Sequence, residues 1–185
     1  MTLRPILFSD NPILRRKSHR VPRVTGETRQ LIEDMFETMR AAQGVGLAAV
    51  QIGIPMRVIV IEIPEDLEDP DAGRRLALIN PELARVSNEM EEGIEGCLSV
   101  PGWMGEVSRH LGVTVKGLDP RGKKVRVRAR GYLARVLQHE IDHLNGVLFI
   151  DRASEVWQVE EGEEERLEAE AAAQGAAGAT PGMLV

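Results

Sequence analysis

The chain has a single cysteine, Cys97, among its 185 residues. No intrachain disulfide framework can form, and a reducing compartment is expected. Aromatic residues reach only 3%, so a core has to be built mainly from aliphatic side chains. No apolar run approaches the roughly 20 residues that cross a bilayer, and no basic stretch followed by an apolar one stands at the start. A cytoplasmic protein without a membrane partner is the expectation. A basic surplus is missing as well, since the net charge is −6. From Asp151 onward nine acids face two bases, which leaves residues 1–150 nearly neutral with 21 bases and 20 acids. Overall charge therefore gives no footing for direct nucleic-acid binding. No internal repeat is visible.

What is present suits one domain with a real core. Residues 1–151 read as that domain. Residues 152–185 read as a tail, first acidic and then Ala/Gly-rich, partly helical and partly disordered. Little regular structure is expected from Met1 to Thr25. Leu31, Ile32, Met35, Phe36 and Met39 then fall at helical spacing between Glu27 and Gln43, with Thr25 as N-cap and Gly44 as stop. Arg57 to Ile63 reads as a strand, Leu76 to Ile79 as a short strand stopped by Asn80-Pro81, and Glu82 to Met90 as another. Leu111 to Leu118 and Lys123 to Arg130 alternate around the turn Asp119-Pro120-Arg121-Gly122 and predict a hairpin. A second helix, from about Tyr132 to Leu144, carries Leu133, Val136, Leu137, Ile141 and Leu144, and Asn145-Gly146 ends it. The stretch from Ser154 to Ala173 is helix-prone. The fold class is α+β, with mixed or antiparallel sheets packed around the second helix.

That helix carries Gln138-His139-Glu140-Ile141-Asp142-His143. Positions i and i+4 share one face of a helix, so the imidazoles of His139 and His143 can converge on one divalent metal. Glu140 points about 100° away from His139, near the metal but off the ligand line, where it can act as a general base toward water. The competing reading is a buried helix whose histidines are merely hydrogen-bonded core residues. A third ligand decides between them, because a hydrolytic metal commonly takes three protein ligands and keeps one position open.

The elongated zinc-protease motif would place a histidine at position 149, which is Phe149. Another protease class takes a glutamate from a later helix, and Glu160 to Glu165 offer candidates within a charge run that reads more naturally as a solvated face. Cys97 is the better candidate: a thiolate is a strong metal ligand, and Gly96 and Ser99 flank it as in a site loop. A closed structural metal module would need a fourth ligand, for which His19 and His110 are the remaining histidines.

Gly44-Val45-Gly46-Leu47-Ala48-Ala49-Val50-Gln51, Glu95-Gly96-Cys97-Leu98-Ser99 and Gln138 to His143, in this order and at these separations, resemble the three motifs of the peptide deformylases. The resemblance runs from about Pro5 to Asp151. It implies a hydrolase that removes the N-formyl group from the N-terminal methionine of new polypeptides and releases formate. It implies Cys97, His139 and His143 as ligands of one divalent ion, usually Fe²⁺ in the family, with Zn²⁺, Ni²⁺ or Co²⁺ also suited to such donors. Glu140 would carry the proton, and the amide of Gln51 and the backbone N–H of Leu98 would meet the oxyanion. The alternative for Gln51 is an amide that satisfies its own loop. Val45 and Gly46 would pair with the substrate main chain, and Val45, Tyr132 and Val136 would line a methionine pocket, with plain core packing as the alternative for the last two. Asp142 is expected behind the ligands, with Arg109 as its partner. The implied partners are N-formylmethionyl nascent chains and, with them, the ribosome. The tail departs from bacterial members in being acidic where a basic docking helix is expected.

Overall fold

A computed structural model describes residues 2–67 and 69–159. These fold in the order α1 (Gly26–Ala41), β1 (Gly46–Ala48), β2 (Val58–Glu62), β3 (Arg75–Val86), β4 (Met90–Glu95), β5 (Trp103–His110), β6 (Gly112–Leu118), β7 (Lys124–Arg130), α2 (Gly131–Leu144) and β8 (Glu155–Gln158). Short 3-10 turns lie at Pro12–Arg15, Ala49–Ile52 and Phe149–Asp151. One sheet has the order β1-β2-β3-β6-β7 and the other β4-β5-β8, and neighbouring strands in both are antiparallel. The expected α+β architecture around a central helix is the observed one.

β2 sets the layering, because it is apolar on both faces. Val58 and Val60 pack with Leu31, Ile32, Met35 and Met39 of α1, while Ile59 and Ile61 pack with Leu133, Leu137 and Ile141 of α2. Successive side chains of a strand point to opposite faces, so this run must be covered by a helix on each side. Each fully buried aliphatic side chain contributes roughly 1.5–3 kcal/mol by leaving water. α2 is buried around most of its circumference and also meets β5 of the second sheet. A helix covered all round can hold polar side chains only where each finds a partner or a function.

The ends of both helices follow from local chemistry. Thr25 caps α1, its side chain accepting from Thr28 N while the Thr28 side chain answers Thr25 N. At the far end of α2, Arg57 donates to Leu144 O at 3.2 Å and to Asn145 Oδ1 at 3.0 Å, placing a cation where the helix dipole is negative. Gly146 follows at φ +77°, and a Cβ there would lie 2.5 Å from Arg15 O, so only glycine fits.

Three local expectations differ from the structure. Asn80-Pro81 bends β3 without stopping it: Asn80 sits at φ +53° beside a register shift, its backbone N–H donates to Arg57 O at 2.7 Å, and its side chain takes Val21 N at 2.8 Å and gives to Val21 O at 2.9 Å, which holds the bend in place. Glu91 to Glu95, which follow the strand expected over Glu82 to Met90 and lack strong periodicity, belong to β4, an acidic and glycine-containing strand whose weak propensity is overridden by pairing with β5. The helix-prone stretch after Ser154 begins as β8, because the free edge of β5 pairs with it from Trp103 to Glu106. The rest of that stretch lies outside the described residues.

Candidate metal centre

Cys97 follows directly on the end of β4, and His139 and His143 lie one turn apart on α2. Cys97 Sγ is 3.3 Å from His143 Nε2, which is 3.2 Å from His139 Nε2, and all three donor atoms lie within 4.8 Å of one another. Metal bonds of roughly 2.0–2.1 Å to nitrogen and 2.3 Å to sulfur, arranged tetrahedrally, place such donors about 3.3–3.6 Å apart. The donor set therefore fits one divalent ion. Phe149, at the position where a longer zinc motif would carry histidine, stacks on His139 with ring centroids 6.3 Å apart and 19° between the planes. His110 Nδ1 is engaged with Ser87 O at 2.8 Å, and among the described residues the Cys97, His139, His143 group holds neither His110 nor His19. Glu160 to Glu165 lie outside the described residues.

His139 is aimed by Glu95, whose Oε2 meets His139 Nδ1 at 2.9 Å. Such a carboxylate fixes the ring's tautomer and leaves the opposite nitrogen facing the metal. Glu95 is itself gripped by Arg109 Nε and Nη2 at 2.8 and 2.9 Å and by Arg135 Nη1 at 2.9 Å. Burial alone would push the Glu95 carboxyl up, but the bonds from Arg109 and His139 overcome that and hold it far below the usual carboxylate range. Arg109 continues to Asp142, which Arg152 also clamps, so Asp142 stands behind the ligands with Arg109 as partner. Arg135 further donates to Val107 O at 2.8 Å and Glu91 O at 2.8 Å. Gly93 leaves room for it, since a Cβ there would lie 2.8 Å from Arg135 Nη2.

Glu140 occupies the other side. It packs on Gly46 of β1 so closely that a Cβ there would meet Glu140 Oε1 at 2.3 Å. Its Oε2 is buried with no hydrogen-bond partner. Burial pushes this carboxyl up to about 7, with the charge on His139 pulling against it. A bound cation would draw it back down.

The two ends of the Gln51 amide have different partners. Its Oε1 accepts from Ala48 N at 2.8 Å, which turns Nε2 toward Ser99 Oγ at 3.1 Å and Cys97 Sγ at 3.7 Å. The carbonyl end serves its own loop and the amine end faces the metal ligands. Val45, Gly46, Leu98, Tyr132 and Val136 line the same cleft as Cys97, His139 and Glu140. Tyr132 and Val136 also pack against the core.

The residue-level reading missed roles for Glu95, Arg135 and Ser99. Arg135 had a visible signal: it lies four residues before His139, as His139 lies four before His143, and one helix face carries all three. Glu95 and Ser99 had only their place beside Cys97.

A family model for polypeptide deformylase matches residues 3–158. The chain belongs to the polypeptide deformylase family. The peptide deformylase of Thermomicrobium roseum is 55% identical over 153 residues, spanning 82% of this chain and 86% of the relative. The peptide deformylase of Ehrlichia chaffeensis in complex with actinonin superposes with a TM-score of 0.79 at 36% identity, covering 98% of this chain and all of that one. A Met-Ala-Ser-bound class I type b peptide deformylase from Acinetobacter baumannii gives a TM-score of 0.77 at 38% identity, over 82% and 98% of the two chains. As a deformylase the chain is a metal-dependent hydrolase that removes the N-formyl group from new polypeptides. No helix among the described residues is long and apolar enough to cross a membrane.

Proposed function

We infer that Cys97, His139 and His143 hold the deformylase's ion, that Glu140 carries the proton, and that Gln51 and the backbone N–H of Leu98 receive the oxyanion. The observation that carries this reading is the orphaned, desolvated oxygen of Glu140 beside three convergent metal donors. When bound, a divalent ion supplies Lewis acidity toward the formyl carbonyl and toward water. Glu140 takes the proton from the attacking water and returns it to the leaving amine, a role suited to a carboxyl that burial pushes up and a bound cation draws back down. With its carbonyl end held by Ala48, Gln51 keeps its bond to Ser99 and turns to the developing charge the N–H that faces Cys97 Sγ at 3.7 Å.

The substrate is the formylmethionyl start of a nascent chain. β1 is the edge strand of its sheet, and Val45 to Gly46 offer backbone to an added peptide strand, which binds any sequence beyond the first residue. Val45, Tyr132 and Val136 supply the apolar wall for methionine. Fe²⁺ is the assigned ion: imidazole and thiolate donors suit it, and the single unpaired Cys97 fits a reducing cytoplasm. Nascent chains bring the enzyme to the ribosome, which co-sedimentation with translating ribosomes tests.

The direct test is anaerobic purification with metal analysis, alongside formate release from formyl-Met-Ala-Ser. Stoichiometric iron and formate release that chelation abolishes and Fe²⁺ restores are expected. Full activity in metal-free protein overturns the assignment.

A further inference from the structure

Few large apolar side chains are exposed on the described surface, and two of them, Leu3 at 62% and Phe8 at 54%, belong to one short segment. The segment is pinned on both sides. Thr2 N donates to Asp34 Oδ1 at 3.2 Å, Arg4 N to Thr38 Oγ1 at 3.0 Å and Arg4 Nη2 to Asp34 Oδ2 at 3.0 Å, all on α1. Leu7 N donates to Gln51 O at 2.7 Å, beside the metal centre. Apolar side chains held out on a fixed backbone, rather than on a fraying end, mark a binding surface. With Ile6, Ala41 and Ala42 they enclose an open groove that ends at Leu98. Leu98 also lines the catalytic cleft, so groove and cleft meet at this side chain.

The direction of an occupant follows from the burial along β1. The reacting end of a peptide belongs at Gly46, where Glu140 packs against the backbone. From Gly46 on to Val50 every residue is buried, whereas Val45 back to Ala41 are partly or fully exposed. A peptide paired with this edge can continue only back toward Ala42, antiparallel to β1. Ala41 ends α1 and Ala42–Gln43 form the turn after it, so an occupant has left the stretch paired at Val45–Gly46 before it reaches the groove.

We propose that the groove between the Leu3–Phe8 segment and the end of α1 binds apolar side chains of the formylated chain that lie beyond the residues paired at Val45–Gly46. This rests on the deformylase reading of the cleft. Main-chain pairing at Val45 is blind to sequence, so the groove is where this chain distinguishes substrates beyond their methionine. Its contribution lies in binding, remote from the reacting atoms, and therefore acts on KM and leaves kcat unchanged.

The test compares formyl-Met-Ala-Ser-Ser-Ser-Lys with formyl-Met-Ala-Ser-Leu-Phe-Lys on the metal-loaded full chain. A KM about five- to tenfold lower for the apolar peptide at equal kcat is expected, the scale of one partly buried apolar side chain. In the double variant Leu3→Ser with Phe8→Ser, whose exposed positions leave the core intact, the ratio of the two KM values falls to about one. Equal KM values in the wild type, or a ratio that persists in a double variant with an unaltered melting curve, overturn the groove assignment while formate release stands. Absence of formate release from formyl-Met-Ala-Ser overturns the cleft reading, and the groove proposal with it.

Discussion

Glu95 and Glu140 stand on either side of the same metal ligands, equally removed from water at 5% and 4% exposure, and their surroundings are opposite. Glu95 accepts from two arginines and a histidine and stays ionised far below the usual range. Glu140 keeps one oxygen without a partner and holds its proton up to about 7. Burial is common to both; the supply of cationic donors separates them. In the roles proposed for them, the carboxylate that fixes a ligand is saturated with hydrogen bonds, and the one that moves a proton keeps an oxygen without a partner.

The largest effect should come from removing the free lone pair. Glu140→Gln is expected to lower kcat/KM for a formyl-Met tripeptide by about 10²- to 10⁴-fold, the range for a positioned acid–base group. Metal content by elemental analysis should remain at the wild-type level, which separates proton transfer from ligation. Retained activity would remove the distinction between the two glutamates.

Glu95→Gln tests the saturated side. It leaves Arg135 buried with a neutral partner and Arg109 with Asp142 as its remaining carboxylate, a defect of the kind that costs on the order of 3–5 kcal/mol when a buried pair is broken outright. Metal affinity, read by chelator competition, should fall about 10- to 100-fold because His139 loses its orienting carboxylate. The melting temperature should fall with it. A variant with unchanged metal affinity would show that Glu95 serves the fold alone.

Gly46→Ala displaces the free carboxylate without changing its chemistry. The added methyl would fall within 2.3 Å of Glu140 Oε1, so the base must shift, and a displacement of this order costs up to about 100-fold in rate. Steady-state kinetics should show the loss while chelator competition shows intact metal binding, the converse of Glu95→Gln.

The smallest effect concerns a saturated carboxylate away from the metal. Asp34 is held below its ordinary value by the side chain of Gln30, with Arg4 and Thr2 N adding to it against the cost of burial. A folded-state value below the unfolded one contributes stability at neutral pH and loses it as pH falls through the folded-state value. Asp34→Asn should therefore lower the melting temperature modestly at pH 7. The two curves should converge as the solution is taken below the ordinary carboxylate range.

Much of the helix layer was legible because its signals are local. Thr25 as the cap of α1, the β6–β7 hairpin around Asp119 to Gly122, and the stop at Asn145-Gly146 all follow from a few adjacent residues. β4 and β8 were not, because both carry mostly weak strand formers and exist through pairing with β5. Asn80-Pro81 read as a stop, since nothing near it in sequence reveals that Val21, 59 residues away, anchors the Asn80 side chain at the bend.

The same boundary runs through the metal centre. The sequence by itself determined that His139 and His143 share a helix face and that Glu140 lies off it, because helical periodicity is a property of neighbouring residues. Only the tertiary structure decided that Glu95, 44 residues from His139, is the saturated carboxylate, that Gln51 turns its amine toward Cys97, and that Gly46 makes room for Glu140. Those are contacts between distant segments, and they depend on how β1, β4 and α2 pack together rather than on any pattern within them.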